Sequence, residues 1–266
     1  MSTMEFSPQL FGSSLGSAAL AVFVFFLVLF IIAVVRRNNA VADIGWGIGF
    51  IVAAMAVLWQ RDALTLRQVV VSALVAMWSV RLAVHLWLRS RGKSEDWRYA
   101  QWRRQWGEHW VIYSFLQVFV LQAVLLLVVA LPVLFVITFG GPVIGWLDVI
   151  GVAVWVAGFV FEVVADHQLR RFGQNPANKG RVLQTGLWRY SRHPNYFGEA
   201  LMWWGIWLIA LSVPGAWFTF VGPLLITFLL LRVSGVTLLE KKYSSNPEYL
   251  AYQRRTSAFV PLPPKK

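Results

Sequence analysis

Ionisable and amide side chains recur at helical spacing inside the long apolar runs of this 266-residue chain, and they are the groups that could do chemistry. Glu162, Asp166 and Arg170 stand four apart; Asn195 and Glu199 do the same, with Met202 and Trp203 continuing their face. Arg81, His85 and Arg89 form a third series, with Trp78 one turn before them. Arg232 and Glu240 lie eight apart near the end of another apolar run, and Asp43 opens one. Spacing of three or four places each series on one face of a helix. An ionisable group inside hydrocarbon costs roughly 2.5–3.5 kcal/mol. Snorkelling relieves that for Arg89, Arg170 and Arg232 near helix ends. It does not relieve the short acids Glu162, Asp166 and Glu199, nor Arg81 well inside its run. Either these groups pair between helices, or they line one polar cavity open to the cytosol, built by the second, third, fifth, sixth and seventh helices.

The mixture of charges suggests what such a cavity holds. Arginines suit phosphates, and carboxylates with an amide suit ribose hydroxyls and a carboxamide, so a nicotinamide dinucleotide fits. No G-x-G-x-x-G follows a strand pattern, and Gly45-Trp-Gly-Ile-Gly49 opens an apolar helix, so a Rossmann unit is absent. His167 and His193 lack a second histidine four residues away, and no metal site is expected. His85 is either a phosphate or ribose partner or an interhelical donor.

The elements that must position these groups are membrane helices. The chain is 58% hydrophobic and only 14% charged, more apolar surface than a soluble domain of this size needs, so the expected class is all-α integral membrane. With no cysteine, disulfides, thiolate metal sites and a cysteine nucleophile are excluded. A net charge of +12 in a soluble protein would point to nucleic acid. Here basic loops on one membrane face account for it, and no nucleic-acid partner is expected.

Apolar runs predict seven spans near 14–35, 43–59, 66–90, 110–138, 145–169, 196–213 and 216–239, with Pro132 kinking the fourth. One membrane domain, 1–266, is expected, with residues 1–142 on the substrate side and 143–266 carrying the cofactor-binding part. Residues 1–12 lack a basic segment, so no cleaved signal peptide is expected. An N-terminus outside and a cytoplasmic C-terminus put Arg36, Arg37, Arg89–Arg104, Arg170–Arg192 and the basic tail on one face, leaving Arg61 and Arg67 on the other. That asymmetry orients the bundle, in a bacterial inner membrane. Residues 94–109 are too polar to cross; Trp102, Trp106 and Trp110, interleaved with Arg98, Arg103 and Arg104, suit a short helix in the cytoplasmic headgroup layer.

One stretch joins these threads. Gly186-Leu-Trp-Arg-Tyr-Ser-Arg-His-Pro-Asn-Tyr-Phe-Gly-Glu199 is a polar loop running into an apolar helix, where Pro194 suits the helix start. With Asp166, Glu240-Lys-Lys-Tyr243, Tyr249, Tyr252, Arg255 and Phe259-Val-Pro261, it resembles the C-terminal part of the membrane steroid 5α-reductase superfamily. It is most similar to a bacterial branch of multi-spanning proteins, and its Arg-His-Pro-Asn-Tyr signature resembles that of the sterol C14- and C7-reductases. The resemblance covers roughly residues 145–266. It implies a seven-helix enzyme whose C-terminal helices and loops wrap NADPH and whose apolar, steroid-like substrate arrives from the bilayer. By match, Asp166, Arg181, Asn195, Glu199 and Arg81 contact the cofactor, with Tyr190, Arg192 and His193 adjacent on the loop. Steroid reductases hold the ketone with a helix 2 glutamate and a helix 3 tyrosine. Here those places fall near Asp43 and Trp78.

The implied reaction is conjugate reduction of an activated C=C bond in a lipid, with hydride delivered to the β-carbon and a donor polarising the carbonyl. Asp43 is the candidate donor, and it must be buried to stay protonated; an acid opening a helix also serves the helix dipole. Trp78 shapes the substrate pocket. An S-adenosylmethionine-dependent methyltransferase of the isoprenylcysteine or phospholipid type is the rival enzyme. A lipid-binding protein whose polar stripes are interhelical glue is the non-enzymatic one.

Overall fold

The computed structural model describes residues 6–265; Met1–Glu5 of the polar N-terminal segment and Lys266 lie outside the described residues. These residues form helices and turns, with one isolated parallel bridge, Ser191 to Ser257, and no strand among them. The chain divides into two compact units. The first holds the chain up to Asp148 together with Ile209–Gly222, and the second holds Val149–Leu208 and Pro223–Lys266.

In the first unit α1 spans Pro8–Arg36. It starts where the Ser7 hydroxyl accepts from the Leu10 N–H, with Pro8 at its first position, and stops where Arg37 turns to φ +48°. Helix α2 (Val41–Leu58) carries three buried glycines, Gly45 and Gly49 toward α1 and Gly47 on the opposite side toward α3 (Leu66–Ser90). A Cβ at Gly47 would sit 2.8 Å from the Ser79 carbonyl oxygen of α3, so glycine sets how closely these two helices pack. Thr65 and Gln68 form a capping box at the start of α3. Helix α4 (Trp97–Trp106) starts at Asp96 and ends at Gly107, φ +53°. Burial works against the ionised Asp96 carboxyl, but the bonds it accepts from Arg98 hold it below the ordinary range.

A short turn leads from α4 to α5 (Trp110–Ser114), a π-helical stretch at Phe115–Val120, and α6 (Leu121–Val129). The expected kink at Pro132 is a break: α6 ends at Val129 and α7 (Leu131–Phe139) restarts with Pro132 in its first turn. Proline has no N–H to continue the ladder and is tolerated only there. Phe6, Phe11, Phe135, Phe139 and Phe218 form an aromatic core cluster, with ring centroids 4.9–6.3 Å apart.

Arg67 is not a free charge. It makes a two-point pair with Asp148 at 2.7 and 2.8 Å and donates to the Gly141 and Val143 carbonyls, and both side chains are buried. The loop after α7 is thereby tied to the start of α3.

In the second unit lie most of α8 (Trp146–Gln174), most of α9 (Pro194–Ala210) and the C-terminal helices; α10 (Val221–Phe228) runs on from the first unit into a π-helical turn at Leu229–Val233, followed by α11 (Val236–Lys242) and α12 (Pro247–Arg255). Among the described residues, six helical stretches are long and apolar enough to cross a bilayer: Pro8–Arg36, Val41–Leu58, Leu66–Ser90, Trp97–Val129, Trp146–Gln174 and Ala216–Lys241. The protein is thus a multi-pass helical membrane protein. The remaining expected span, 196–213, corresponds to α9, whose 17 residues extend about 26 Å against a hydrocarbon thickness of ~30 Å. It is shorter than the 196–213 reading because residues 211–215 form a turn ending at Gly215, φ +85°.

Candidate functional site

In the second unit, glycine decides how the polar stripes of α8 and α9 meet. A Cβ at Gly158 would lie 2.6 Å from the Gly198 carbonyl oxygen, and one at Gly205 would lie 2.7 Å from that of Gly151. A seven-residue step along α8 is therefore matched by a seven-residue step backwards along α9. The helices run antiparallel, backbone against backbone. One turn beyond the Gly158–Gly198 contact, a Cβ on Gly198 would meet the Glu162 backbone N at 2.7 Å. Glu162 and Glu199 are buried at 3% and 8% exposure, which brings two acids into the interior of one helix pair. Another turn on, Asn195 Nδ2 donates to Asp166 Oδ1 at 3.1 Å.

This arrangement leaves an unmet requirement. Asn195 Oδ1 is buried and accepts no hydrogen bond among the described residues. Such an orphan costs on the order of 1–3 kcal/mol unless a donor reaches it. A carboxamide N–H or a ribose hydroxyl is such a donor. The exposed guanidiniums of Arg170, Arg181 and Arg232 make no hydrogen bond or ion pair among the described residues, which leaves cations for phosphate. The donors and acceptors of this unit thus fit a nicotinamide dinucleotide.

The loop before α9 is held from behind by the C-terminal segment. At Gly186, φ +61°, a Cβ would collide with the Gln168 side chain, whose Oε1 accepts from the Leu187 N–H at 3.0 Å. Trp188 Nε1 donates to the Ala165 carbonyl. The Tyr252 hydroxyl donates to the Trp188 carbonyl and lies 3.2 Å from that of Ser191. Ser191 Oγ donates to the Phe259 carbonyl, Arg192 N–H to that of Ser257 and Leu262 N–H to that of Tyr190.

Arg192, 8% exposed, is fully committed. Its Nε and Nη2 approach Glu240 Oε1 at 2.7 and 2.6 Å, and Nη1 donates to the Gln253 and Thr256 carbonyls. Gln253 Nε2 takes the other Glu240 oxygen at 2.9 Å. His193 is buried, stacked on Tyr196 with an interplanar angle of 6°, and its Nε2 is 3.6 Å from Glu240. Arg192 and Glu240, expected to face a cofactor, instead clamp the C-terminal segment to the loop. Tyr190 is 42% exposed at the loop surface.

In the first unit Asp43 is engaged at both oxygens. Arg98 Nη2 donates to Oδ2 at 2.8 Å and the Tyr99 hydroxyl donates to Oδ1 at 2.5 Å, with Gln122 Nε2 3.4 Å from that hydroxyl. Tyr99 is 3% exposed in a helix whose neighbours Trp97 and Trp102 are 43% and 39% exposed. A tyrosine among the arginines and tryptophans of residues 94–109 carries no such mark in the sequence. Trp78 is buried at 2%, edge-on to Phe50, while Arg81 and His85 on α3 are half-buried. Among the described residues no group of three or more His, Asp or Glu could hold a metal.

Comparison with known proteins gives a consistent picture. Residues 29–256 match the family DUF1295, described as a protein of unknown function. The matched region reaches well beyond the C-terminal part whose motifs carry the resemblance. Over 72 residues the chain is 39% identical to a protein named 3-oxo-5-alpha-steroid 4-dehydrogenase 1 of Macaca fascicularis and 38% identical to that of Homo sapiens, 27% of each chain being covered. The matched part is thus about a quarter of the length of these relatives. An uncharacterized protein of Schizosaccharomyces pombe is 26% identical over 229 residues, 73% of this chain and 63% of that one. No solved structure matches. With more than half of its length matched, the chain belongs to DUF1295, the steroid 5-alpha reductase-like family.

Proposed function

We propose that this protein is an NADPH-dependent membrane reductase acting on the activated C=C bond of an enone in a steroid-like or other apolar lipid. The observation that carries this reading is the buried, unmet Asn195 Oδ1 beside the Asp166–Asn195 bond, between two buried acids. The name of the two primate relatives, 3-oxo-5-alpha-steroid 4-dehydrogenase 1, supports the reaction class. NADPH, when bound, supplies the hydride. Asp166 takes the amide N–H of Asn195 and so turns its carbonyl oxygen toward a carboxamide or ribose donor. Glu162 and Glu199 accept from hydroxyls, and Arg170, Arg181 and Arg232 neutralise phosphate, with Tyr190 beside them. Arg192, His193 and Glu240 position the loop.

At the enone we propose Asp43 and Trp78, with one change of role. While Asp43 is ionised the single phenol hydrogen of Tyr99 is spent on its Oδ1; a proton on Oδ1 reverses that bond and frees the phenol hydrogen for a substrate carbonyl, so Asp43 acts as donor through Tyr99. Trp78 offers an apolar wall. We further propose that α9 is the seventh crossing, that the N-terminus lies outside and the C-terminus in the cytoplasm of a bacterium, and that the substrate enters from the bilayer. One membrane domain then divides its labour between residues 1–142 and 143–266.

Calorimetric titration of the detergent-purified protein with NADPH, NADH and S-adenosylmethionine tests the reading. NADPH binding is expected, with Asn195→Ala and Arg181→Ala each weakening it about tenfold, the value of one hydrogen bond to a charged or buried group. Unfolding midpoints should stay close to wild type. Binding of S-adenosylmethionine alone would identify a methyltransferase, binding of neither a non-enzymatic lipid protein. Unchanged NADPH affinity in both variants would remove the site.

A further inference from the structure

On the first unit, α1 and α5 leave an apolar groove of about 460 Å³. Its floor is Leu27, Phe30 and Phe115, with the Phe30 ring 5.0 Å from Phe115 and 5.5 Å from Phe119. Val111 and Ile112 form a lip and are 39% and 57% exposed. At Phe115 the helix widens into its π-helical stretch, a device that displaces a wall from regular packing. Two polar residues also line it, Glu108 and His109, adjacent on the turn between α4 and α5 and both exposed. The Glu108 carboxylate makes no hydrogen bond or ion pair among the described residues, although Arg98, Arg103 and Arg104 precede it on the same stretch. Arg98 is taken by Asp43 and Asp96, and Arg103 by Glu95 and the Trp110 ring.

An open apolar groove lined also by an acid and an imidazole adjacent in the chain matches one kind of ligand. We propose that this groove holds an acyl chain of a phospholipid bearing a primary amine, whose ammonium donates to the Glu108 carboxylate and whose phosphate accepts from the His109 ring N–H. The charges select the headgroup. A glycerol headgroup presents no cation to Glu108 and adds an unbalanced negative charge. A trimethylated amine has no N–H to donate. The aromatic series Tyr99, Trp102, Trp106, Tyr113, with successive centroids 5.6, 5.8 and 5.9 Å apart, runs along the same segment, as expected where a helix meets the headgroup layer. This site is independent of the proposed reductase chemistry.

Native mass spectrometry of the full-length protein, exposed to an equimolar mixture of phosphatidylethanolamine, phosphatidylglycerol and phosphatidylcholine, tests it. One phosphatidylethanolamine should be retained, about two- to fivefold over the others, the ratio an exposed charge pair provides. Glu108→Gln should abolish that preference with no change in unfolding midpoint, since Glu108 holds nothing else. Ile112→Phe, which narrows the groove, should lower retention of all three. Equal retention of the three lipids by the wild type, or an undiminished preference in Glu108→Gln, means annular lipid only and overturns the proposal.

Discussion

Replacing Arg192 by leucine should release the C-terminal segment while the helix pair stays folded. The guanidinium makes four close contacts: two to Glu240 Oε1, at 2.7 and 2.6 Å, and one each to the carbonyls of Gln253 and Thr256. Removing one partner of a fully buried pair costs about 3–5 kcal/mol. The Glu240 side chain is 18% exposed and keeps a bond from Gln253, so the lower end applies. The freed carbonyls lie in the short stretch before Ser257 and can turn to water. A loss of about 3 kcal/mol corresponds to a rise of roughly a hundredfold in local opening. Hydrogen exchange read peptide by peptide is the assay. The Arg192 and Leu262 amides, which donate to Ser257 and Tyr190, should exchange about a hundredfold faster, while peptides of α8 around Gly158 keep their protection. Arg192→Lys retains a charge but loses the fork that reaches both Glu240 and the carbonyls, and should fall between. Unchanged exchange at Leu262 in Arg192→Leu would refute the clamp; equal acceleration across α8 would show a general loss of fold instead.

Two further outcomes follow from the same unit. Gly198→Ala places a methyl group 2.5 Å from the Gly158 carbonyl oxygen, which the backbone cannot avoid, so it should lower the free energy of unfolding by about 1–3 kcal/mol or more; Gly173→Ala, with open space around it, is the control and should not. Burial, then the Glu240 charge, push the Tyr249 phenol from 10.0 up to about 12, and burial with Tyr249 beside it pushes Tyr252 higher still. A raised folded-state value means stability fully present below pH 10 and lost as pH rises from 10 toward 12. Across that window the unfolding midpoint of the wild type should fall faster than that of Tyr249→Phe, and parallel curves would contradict it.

The contrast between α8 and the loop before α9 shows where sequence reasoning ends. Glu162, Asp166, Asn195 and Glu199 are visible because a short acid in an apolar run is costly wherever it sits, and four-residue spacing puts each pair on one face. That argument is local and survives folding: Asp166 and Asn195 do meet. Arg192 carries no such mark. In the sequence it belongs to the Arg-His-Pro signature beside the expected cofactor residues, with nothing to pick out its partner; in the structure it is buried against Glu240, 48 residues away. Tyr99 likewise becomes significant only when Asp43, 56 residues earlier, is placed on its hydroxyl.

Composition and periodicity alone determined that this is a multi-pass helical protein, where most of its helices run, and which acids and amides lie inside them, because apolar transfer and backbone satisfaction act residue by residue. Tertiary structure decided which of those groups meet. It set the Gly158–Gly198 approach that brings α8 to α9, committed Arg67 to Asp148 and Arg192 to Glu240, and left Asn195 Oδ1 without a donor among the described residues. Pairings between distant residues depend on geometry that no local free energy contains.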